Sequence, residues 1–224
     1  MPGFDIVGET EYCDETGGDY YDFIRLVGLG DDMLGIAVGD VSGHGVGAAL
    51  LMASARAILR SLADQHERDL GKLFGTLNRD LARDVGEARF MTMFYAVLDA
   101  SHRRIWCASG GHDPAFWLRR SSGQIEEFGD SGFPLGLVDD AEYSECGPLA
   151  IDSGDVIAIG TDGIWETRNA AGEMFGKDRV RNILASSADG SARRIYDTIV
   201  DAVSKFRGDA AQTDDVTLVV LKSL

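Results

Sequence analysis

The chain has 224 residues, of which 45% are hydrophobic and 26% charged, so it is long enough for one well-buried core and its composition is not that of a disordered protein. With 37 acidic and 21 basic residues its formal net charge is -16, which argues against binding to a nucleic-acid backbone or to an anionic membrane surface. The three cysteines, Cys13, Cys107 and Cys146, form no CxxC pair and indicate neither a disulfide framework nor a thiolate zinc site.

Segments rich in Val, Ile, Phe and Tyr, bounded by Gly or Asp, predict eight strands in chain order. They cover residues 4–13, 21–29, 34–41, 90–100, 104–109, 114–119, 156–161 and 216–222. Short turns between neighbours, as in LDASHRRIW, are typical of antiparallel hairpins.

Apolar residues that recur every three and four positions predict the helices. These cover residues 45–62, 70–81, 179–185 and 192–206. Strands, a helix pair, more strands, late helices and a last strand make an α+β pattern, not an alternation of strand and helix. We expect two mostly antiparallel sheets packed face to face, with helices outside. We expect these elements to form a single domain over residues 1–224, which could be part of a longer, regulated chain.

The N-terminal stretch MPGFDIVGETEY lacks the basic and apolar regions of a signal peptide, and no run approaches the ~18 apolar residues of a membrane span. The widely spaced cysteines fit a reducing compartment. We therefore expect a cytoplasmic protein with no direct membrane insertion.

Aspartates stand at the ends of apolar strands in four turns. GGDYYDF contains Asp19 and Asp22, VGDVSGHG contains Asp40, GTDGIWE contains Asp162, and QTDDVTLVV contains Asp214 and Asp215. Carboxylates that converge at partly buried strand ends repel one another and need cations, and oxygen ligands without cysteine are typical of Mg²⁺ or Mn²⁺. A lone Asp-Gly is more often a turn than a ligand, and spacing alone does not show that the four turns meet.

Six ordered motifs cover the chain from about Gly17 to Leu221: GGDYYDF, VGDVSGHGVGAALLMA, ASGGHDPAFW, GFPLGL, TDGIWETRNAAGEMFG and TDDVTLVVL. In this order they resemble the metal-dependent protein phosphatases, the protein phosphatase 2C-like family, and most of all its bacterial SpoIIE branch. The resemblance implies an α/β/β/α sandwich with two Mn²⁺ or Mg²⁺ ions in a cleft at one end of the sheets.

By this resemblance, Asp40 matches the carboxylate that bridges both ions, and the Val41 carbonyl matches the main-chain ligand beside it. The carboxylates that match the remaining ligands are Asp19, Asp162 and Asp214. Asp215 directly follows Asp214, and we add it to the metal-site residues as an outer partner that contacts the ligands and not the ions. The residues expected to carry catalysis are Asp40, Asp162 and Asp19. A water shared by two cations is available as hydroxide near neutral pH and would attack the phosphoryl group in line.

The implied activity is hydrolysis of phosphoserine or phosphothreonine on a partner-switching regulator, an anti-sigma-factor antagonist of the STAS type. The implied assembly is a homodimer formed through an upstream regulatory domain. No residue of the chain encodes the identity of that partner.

Two family features are missing from their usual positions. Some members place a His general acid two residues after the bridging Asp, where this chain has Ser42; the nearest histidine, His44, serves equally well as a turn residue bonded to the backbone. Eukaryotic members hold the phosphate with an Arg ahead of the first acidic motif, where CDET has none, so no substrate-binding residue is identified.

Several other polar residues in the family motifs are more simply structural. His112 in GGHDP shapes a region between hairpins, and Glu166 and Asn169 in WETRN set the turn after Asp162. Cys13 has no His or Lys nearby to activate it, so a buried thiol is favoured over a nucleophile.

Two competing functions remain open. A non-catalytic pseudophosphatase that binds a signalling partner would not need metal carboxylates, so the four aspartates argue against it. The net charge does not exclude a second enzyme class, a two-metal phosphodiesterase that acts on a small nucleotide. Activity on a phosphoprotein without activity on bis-ester substrates would separate these functions.

Overall fold

The computed structural model describes residues 1–43, 45–63, 69–84 and 89–224, except for the side chain of Asp84. The strands in these ranges are β1 (Phe4–Glu11), β2 (Tyr20–Arg25), β3 (Met33–Val41), β4 (Met91–Asp99), β5 (Arg104–Gly110), β6 (Ala115–Leu118), β7 (Ile125–Phe128), β8 (Cys146–Ala150), β9 (Val156–Gly160) and β10 (Val216–Ser223). The helices are α1 (Val46–Ala63), α2 (Leu70–Asp84), α3 (Gly163–Glu166), α4 (Lys177–Ser187) and α5 (Ala192–Arg207).

The strands form two five-stranded sheets. The first has the order β1-β10-β9-β6-β7 and the second the order β2-β3-β4-β5-β8. Every pair of neighbouring strands in the two sheets is antiparallel. The predicted α+β class with two antiparallel sheets is therefore confirmed.

Three buried clusters divide the molecule into layers. The middle cluster joins the inner faces of the two sheets and includes Phe94, Trp117 and Val219. A second cluster packs α1 and α2 on the outer face of the second sheet, and a third packs α4 and α5 on the outer face of the first sheet. The order of layers is helix, sheet, sheet, helix, which confirms the predicted α/β/β/α sandwich.

Helix α1 connects the turn after Asp40 to the core. With 18 residues, this helix is long and apolar enough to cross a membrane. Length and composition alone do not identify a membrane span, because the buried core helices of soluble proteins have the same properties. One of its faces is buried, and the residues of that face include Ala48, Leu51, Ala55 and Leu59. The expectation of a cytoplasmic protein without membrane insertion stays a prediction.

All eight predicted strands and all four predicted helices correspond to elements of the structure, but β7, β8 and α3 were not predicted. Strand β8 contains Gly147 and Pro148, which are depleted in strands, and β7 has only four residues. Helix α3 is a single turn, which is too short to show a helical period.

Candidate metal centre

The strand register brings the four acidic turns together in two pairs. In the second sheet Tyr20 faces Gly39, so Asp19, just before β2, lies beside Asp40 near the end of β3. In the first sheet Leu218 faces Gly160, so the turn before β10 that contains Asp214 lies beside the turn after β9 that contains Asp162. Antiparallel pairing places the end of one strand next to the start of its neighbour, which explains both pairs.

The electrostatics show that the two pairs also meet each other. The pKa of Asp40 is raised to about 9, first by burial and then by the charges of Asp19, Asp162 and Asp214. The pKa of Asp19 is raised to about 7 and that of Asp162 to about 6, in both cases first by burial and in part by the charge of Asp214. Carboxylates that raise one another's pKa in this way are close neighbours.

Asp19 is held in place by the first sheet. Its side chain is 1% exposed, and its Oδ2 accepts a 2.7 Å hydrogen bond from the hydroxyl of Thr161. The Thr161 hydroxyl oxygen accepts the main-chain N–H of Thr217 at 3.1 Å, so its orientation is set by strand β10. This support was not predicted, because a single threonine after a strand has no distinctive sequence signal.

Asp215 binds the main chain of the first acidic turn. Its carboxylate accepts the N–H of Cys13 at 2.9 Å and the N–H of Asp19 at 3.4 Å. A Cβ atom on Gly17 would lie 1.9 Å from Oδ2 of Asp215, so this close approach requires glycine. These contacts give Asp215 a role in holding Asp19; its place among the metal residues stays a prediction.

Glycines also allow close approach around the other candidate ligands. A Cβ atom on Gly18 would lie 2.8 Å from the Val41 carbonyl oxygen and 3.3 Å from Oδ1 of Asp40. A Cβ atom on Gly163 would lie 1.9 Å from the carbonyl oxygen of Asp215. The glycines beside the aspartates therefore let the turns pack directly on one another.

A cavity of about 150 Å³ opens at the two central carboxylates. Its lining residues are Asp40, Thr92, Gly111, His112, Asp113 and Asp162. A larger cavity of about 420 Å³, which includes Met33 and Trp106 in its lining, contains none of the candidate ligands. The smaller cavity is the candidate reaction site because Asp40 and Asp162 both line it.

His112 is a neutral structural residue in this cavity wall. Burial lowers its pKa to about 4. Its Nε2 lies 3.1 Å from the carbonyl oxygen of Gly160, which only accepts hydrogen bonds, so Nε2 carries the proton. Its Nδ1 then accepts from the hydroxyl of Thr92 at 3.0 Å. The predicted structural role of His112 agrees with these contacts.

Asp22, the other aspartate of GGDYYDF, lies away from this centre. Arg60 of α1 donates to both of its carboxylate oxygens at 2.6 Å, and the Tyr20 hydroxyl donates at 2.8 Å. Burial alone would raise the pKa of Asp22, but the hydrogen bonds from Arg60 and Tyr20 outweigh it and lower the pKa. Asp22 thus anchors helix α1 to strand β2.

The remaining candidates have simpler surroundings. Asn169 accepts the N–H groups of Ala171 and Glu173, each at 3.0 Å, and so closes the turn after α3. Cys13 was expected to be a buried thiol but is only partly buried. Desolvation, and then Asp215, raise its pKa to about 11, which keeps the thiol protonated at neutral pH and argues against a nucleophile. His44 lies outside the described residues.

The donor set fits hard divalent cations, because it consists of carboxylate and main-chain oxygens. Among the described residues, no three Asp, Glu, His or Cys side chains form a group that could hold an ion alone. An ion bound here would share these ligands with the Val41 carbonyl and water, and Mg²⁺ commonly keeps several waters.

Comparisons with known proteins agree with this fold. The model of the SpoIIE family, Stage II sporulation protein E, matches residues 30–223. The phosphoserine phosphatase RsbU of Bacillus subtilis is 28% identical over 93% of this chain and 60% of its own length. The structure of the RsbU and RsbW domains of Rv1364c from Mycobacterium tuberculosis is 26% identical, with a TM-score of 0.79 over 100% of this chain and 60% of that chain. The SiaA-PP2C domain of Pseudomonas aeruginosa, at 23% identity, has a TM-score of 0.82 over 97% of this chain and 85% of that chain.

The chain spans 60% of RsbU, so these similarities describe the domain that the two proteins share. They confirm the predicted family. The match to the family model covers most of the chain. The chain belongs to the SpoIIE family.

Proposed function

We propose that this chain hydrolyses phosphoserine or phosphothreonine on a partner protein, using a water activated between two divalent cations, Mn²⁺ or Mg²⁺. The observation that carries the proposal is that the strand register joins the four acidic turns in two pairs, and that Asp40 of one pair and Asp162 of the other line the same cavity. Such a cluster of carboxylates opposes folding unless cations bind to it. Clusters of this kind are typical of functional sites, here a site for divalent cations.

The ligands that would hold the ions are Asp19, Asp40, Asp162, Asp214 and the carbonyl of Val41. When bound, two such ions supply a water acidic enough to act as hydroxide near neutral pH and neutralise charge on the phosphoryl oxygens. Thr161 and Asp215 keep Asp19 in position through its carboxylate and its main-chain N–H, respectively. His112, neutral and bonded on both ring nitrogens, fixes the cavity wall and holds its proton on Nε2.

The shape of the site favours a phosphoprotein over a small nucleotide. The cavity of about 150 Å³ is smaller than the roughly 300–1,000 Å³ of pockets that enclose a whole small molecule. A phosphoserine side chain on a protein surface needs room only for its phosphate. With a net charge of -16, local cations are also needed to attract this anion.

The proposed substrate is a phosphorylated anti-sigma-factor antagonist of the STAS type. Support comes from similarity to RsbU, a phosphoserine phosphatase, and to a chain in which an RsbU domain is joined to an RsbW domain. A homodimer formed through an upstream regulatory domain belongs to the same proposal and rests on the family resemblance.

The test compares three substrates with the purified chain: p-nitrophenyl phosphate, a phosphoserine protein of the STAS type, and bis-p-nitrophenyl phosphate. Each is incubated with Mn²⁺, with Mg²⁺ and with EDTA. We expect metal-dependent release of phosphate from the two monoesters and none from the bis-ester. Release from the bis-ester alone would favour a phosphodiesterase. Binding of the phosphoprotein without release under either metal would favour the pseudophosphatase.

A further inference from the structure

Two of the three cysteines face each other across neighbouring strands. Cys107 of β5 is directly opposite Cys146 of β8, the edge strand of the second sheet. Residues opposite one another in an antiparallel pair have Cα atoms about 4.5–5.5 Å apart, which falls inside the range of about 4.4–6.8 Å found for disulfides.

An irregularity in β8 creates this pairing. Arg104 faces Ala150 and Ile105 faces Leu149, so a regular ladder would put Gly147 opposite Cys107 and turn Cys146 to the other face. The register shifts by one residue between Ile105 and Cys107, which brings Cys146 into the opposing position.

Gly147 makes this shift feasible. Its φ is 123°, a value that favours glycine, and a Cβ atom there would lie 2.7 Å from the carbonyl oxygen of Ile105. The bulge thus depends on a residue without a side chain, directly after Cys146.

Both thiols point into the same side of the sheet. Cys107 is fully buried in the cluster between the sheets, and Cys146 packs against that cluster while keeping part of its surface exposed. After burial, charge and hydrogen bonding from Cys146 are the next causes that raise the pKa of Cys107, so the two sulfur atoms interact. Both cysteines are free thiols.

We propose that Cys107 and Cys146 form a reversible dithiol–disulfide pair, with the partly exposed Cys146 as the entry point for a small-molecule disulfide such as oxidised glutathione. The Cys146 thiolate attacks one sulfur of that disulfide and expels one small thiol, leaving a mixed disulfide. Cys107 then attacks the Cys146 sulfur, gives its proton to solvent and expels the second small thiol. Two protein thiols are oxidised while one small disulfide is reduced to two thiols.

Oxidation would link β8, and the segment just before it that contacts helix α2, covalently to strand β5. Glu145, directly before Cys146, accepts the N–H of Leu70 at 3.0 Å, where α2 begins. Tyr143 packs edge-on against Phe74 of the same helix, with ring centroids 5.7 Å apart. A bond between Cys107 and Cys146 also closes a loop in the unfolded chain, so the oxidised protein should melt at a higher temperature.

The test uses the Cys13→Ser variant, in which only the pair remains. The folded protein is incubated in mixtures of reduced and oxidised glutathione, alkylated, and its intact mass measured. We expect a species two hydrogens lighter that takes no alkylating group, has a higher Tm and is restored by dithiothreitol. Peptide mapping should join Cys107 to Cys146.

The matched control adds Cys107→Ser to Cys13→Ser, and should stop at one glutathione adduct on Cys146. An adduct that accumulates without closing when Cys107 is present would overturn the proposal, because it would show that the sulfurs cannot meet. The absence of any reaction at Cys146 in both proteins, under fully oxidised glutathione, would overturn it as well.

Discussion

The hydroxyl of Thr161 donates a 2.7 Å hydrogen bond to Oδ2 of Asp19, although the two residues are 142 positions apart in the chain. Asp19 precedes a strand of the second sheet, while Thr161 follows β9 of the first sheet. The bond therefore connects the two sheets at the candidate metal centre and orients one of the predicted ligands.

Replacement of Thr161 by valine should weaken metal binding about 10–100-fold, as is typical when a group that orients a ligand is lost. It should also cost about 1–2 kcal/mol of stability, because the N–H of Thr217 loses its acceptor. The measurement is calorimetric titration of Mn²⁺ together with urea unfolding. Thr161→Ser, which keeps the hydroxyl, is the control and should behave like the wild type. Equal Mn²⁺ affinity in all three proteins would show that Thr161 does not position Asp19.

Asp40→Asn should stabilise the metal-free protein while removing its activity. The pKa of Asp40 is raised from 3.8 to about 9, so this carboxyl favours the folded state only when protonated, and its contribution is lost as the pH rises from about 4 to about 9. At pH 7.5 in EDTA we expect the variant to gain a few kcal/mol over the wild type, on the order of 1.4 kcal/mol for each pH unit above 3.8 as an upper bound. Added Mn²⁺ should raise the Tm of the wild type only. A variant less stable than the wild type in EDTA would mean that Asp40 is a structural residue.

Loss of the Arg60 side chain should destabilise the fold without affecting the metal centre. Arg60→Ala leaves the partly buried carboxylate of Asp22 without its bidentate charge partner. The free energy of unfolding at neutral pH should fall by about 1–2 kcal/mol, a value reduced to allow for the 43% exposure of the Arg60 side chain. The pKa of Asp22 is lowered, so the stabilisation is present above its unfolded pKa of 3.8 and is lost as the pH falls below that value. Chemical unfolding at pH 7 and near pH 3 should show this loss. Arg56→Ala, which removes a longer contact of 3.4 Å, should have a smaller effect.

His112 should make the protein sensitive to mild acid. Its pKa is lowered from 6.5 to about 4, so the unfolded chain takes up a proton over this range and the folded protein does not. Stability from the neutral ring is present above pH 6.5 and falls by roughly 3 kcal/mol as the pH drops to about 4. Unfolding free energies in EDTA, measured from pH 4 to 7, should fall more steeply for the wild type than for His112→Gln. Parallel curves would show that His112 titrates normally.

The layers of the fold and the candidate metal ligands could be predicted from the sequence, because both are marked by local sequence patterns. Apolar segments bounded by Gly or Asp located the strands, and the Asp-containing turns gave the candidate aspartates. The family resemblance then selected Asp19, Asp40, Asp162 and Asp214 among them. Strand β8 could not be found in this way, since Gly147 and Pro148 read as a break in a strand.

The supporting contacts were beyond the reach of sequence reasoning. The two aspartates of GGDYYDF look alike, yet Asp19 joins the carboxylate cluster while Asp22 pairs with Arg60 on a helix 38 residues further along. Long-range partners such as Thr161 for Asp19 depend on the packing of the two sheets, which no local pattern encodes. The pairing of Cys107 with Cys146 depends on a one-residue shift in register.

The decisive measurement is the rate at which a phosphoserine peptide loses phosphate in Mn²⁺, compared among the wild type, Asp162→Asn and Asp22→Asn. We predict turnover by the wild type that EDTA abolishes, a loss of more than about a hundred-fold in Asp162→Asn with its fold retained, and near-normal turnover in Asp22→Asn. Full activity in folded Asp162→Asn would contradict the assignment of the four aspartates as the ligands of a catalytic metal centre.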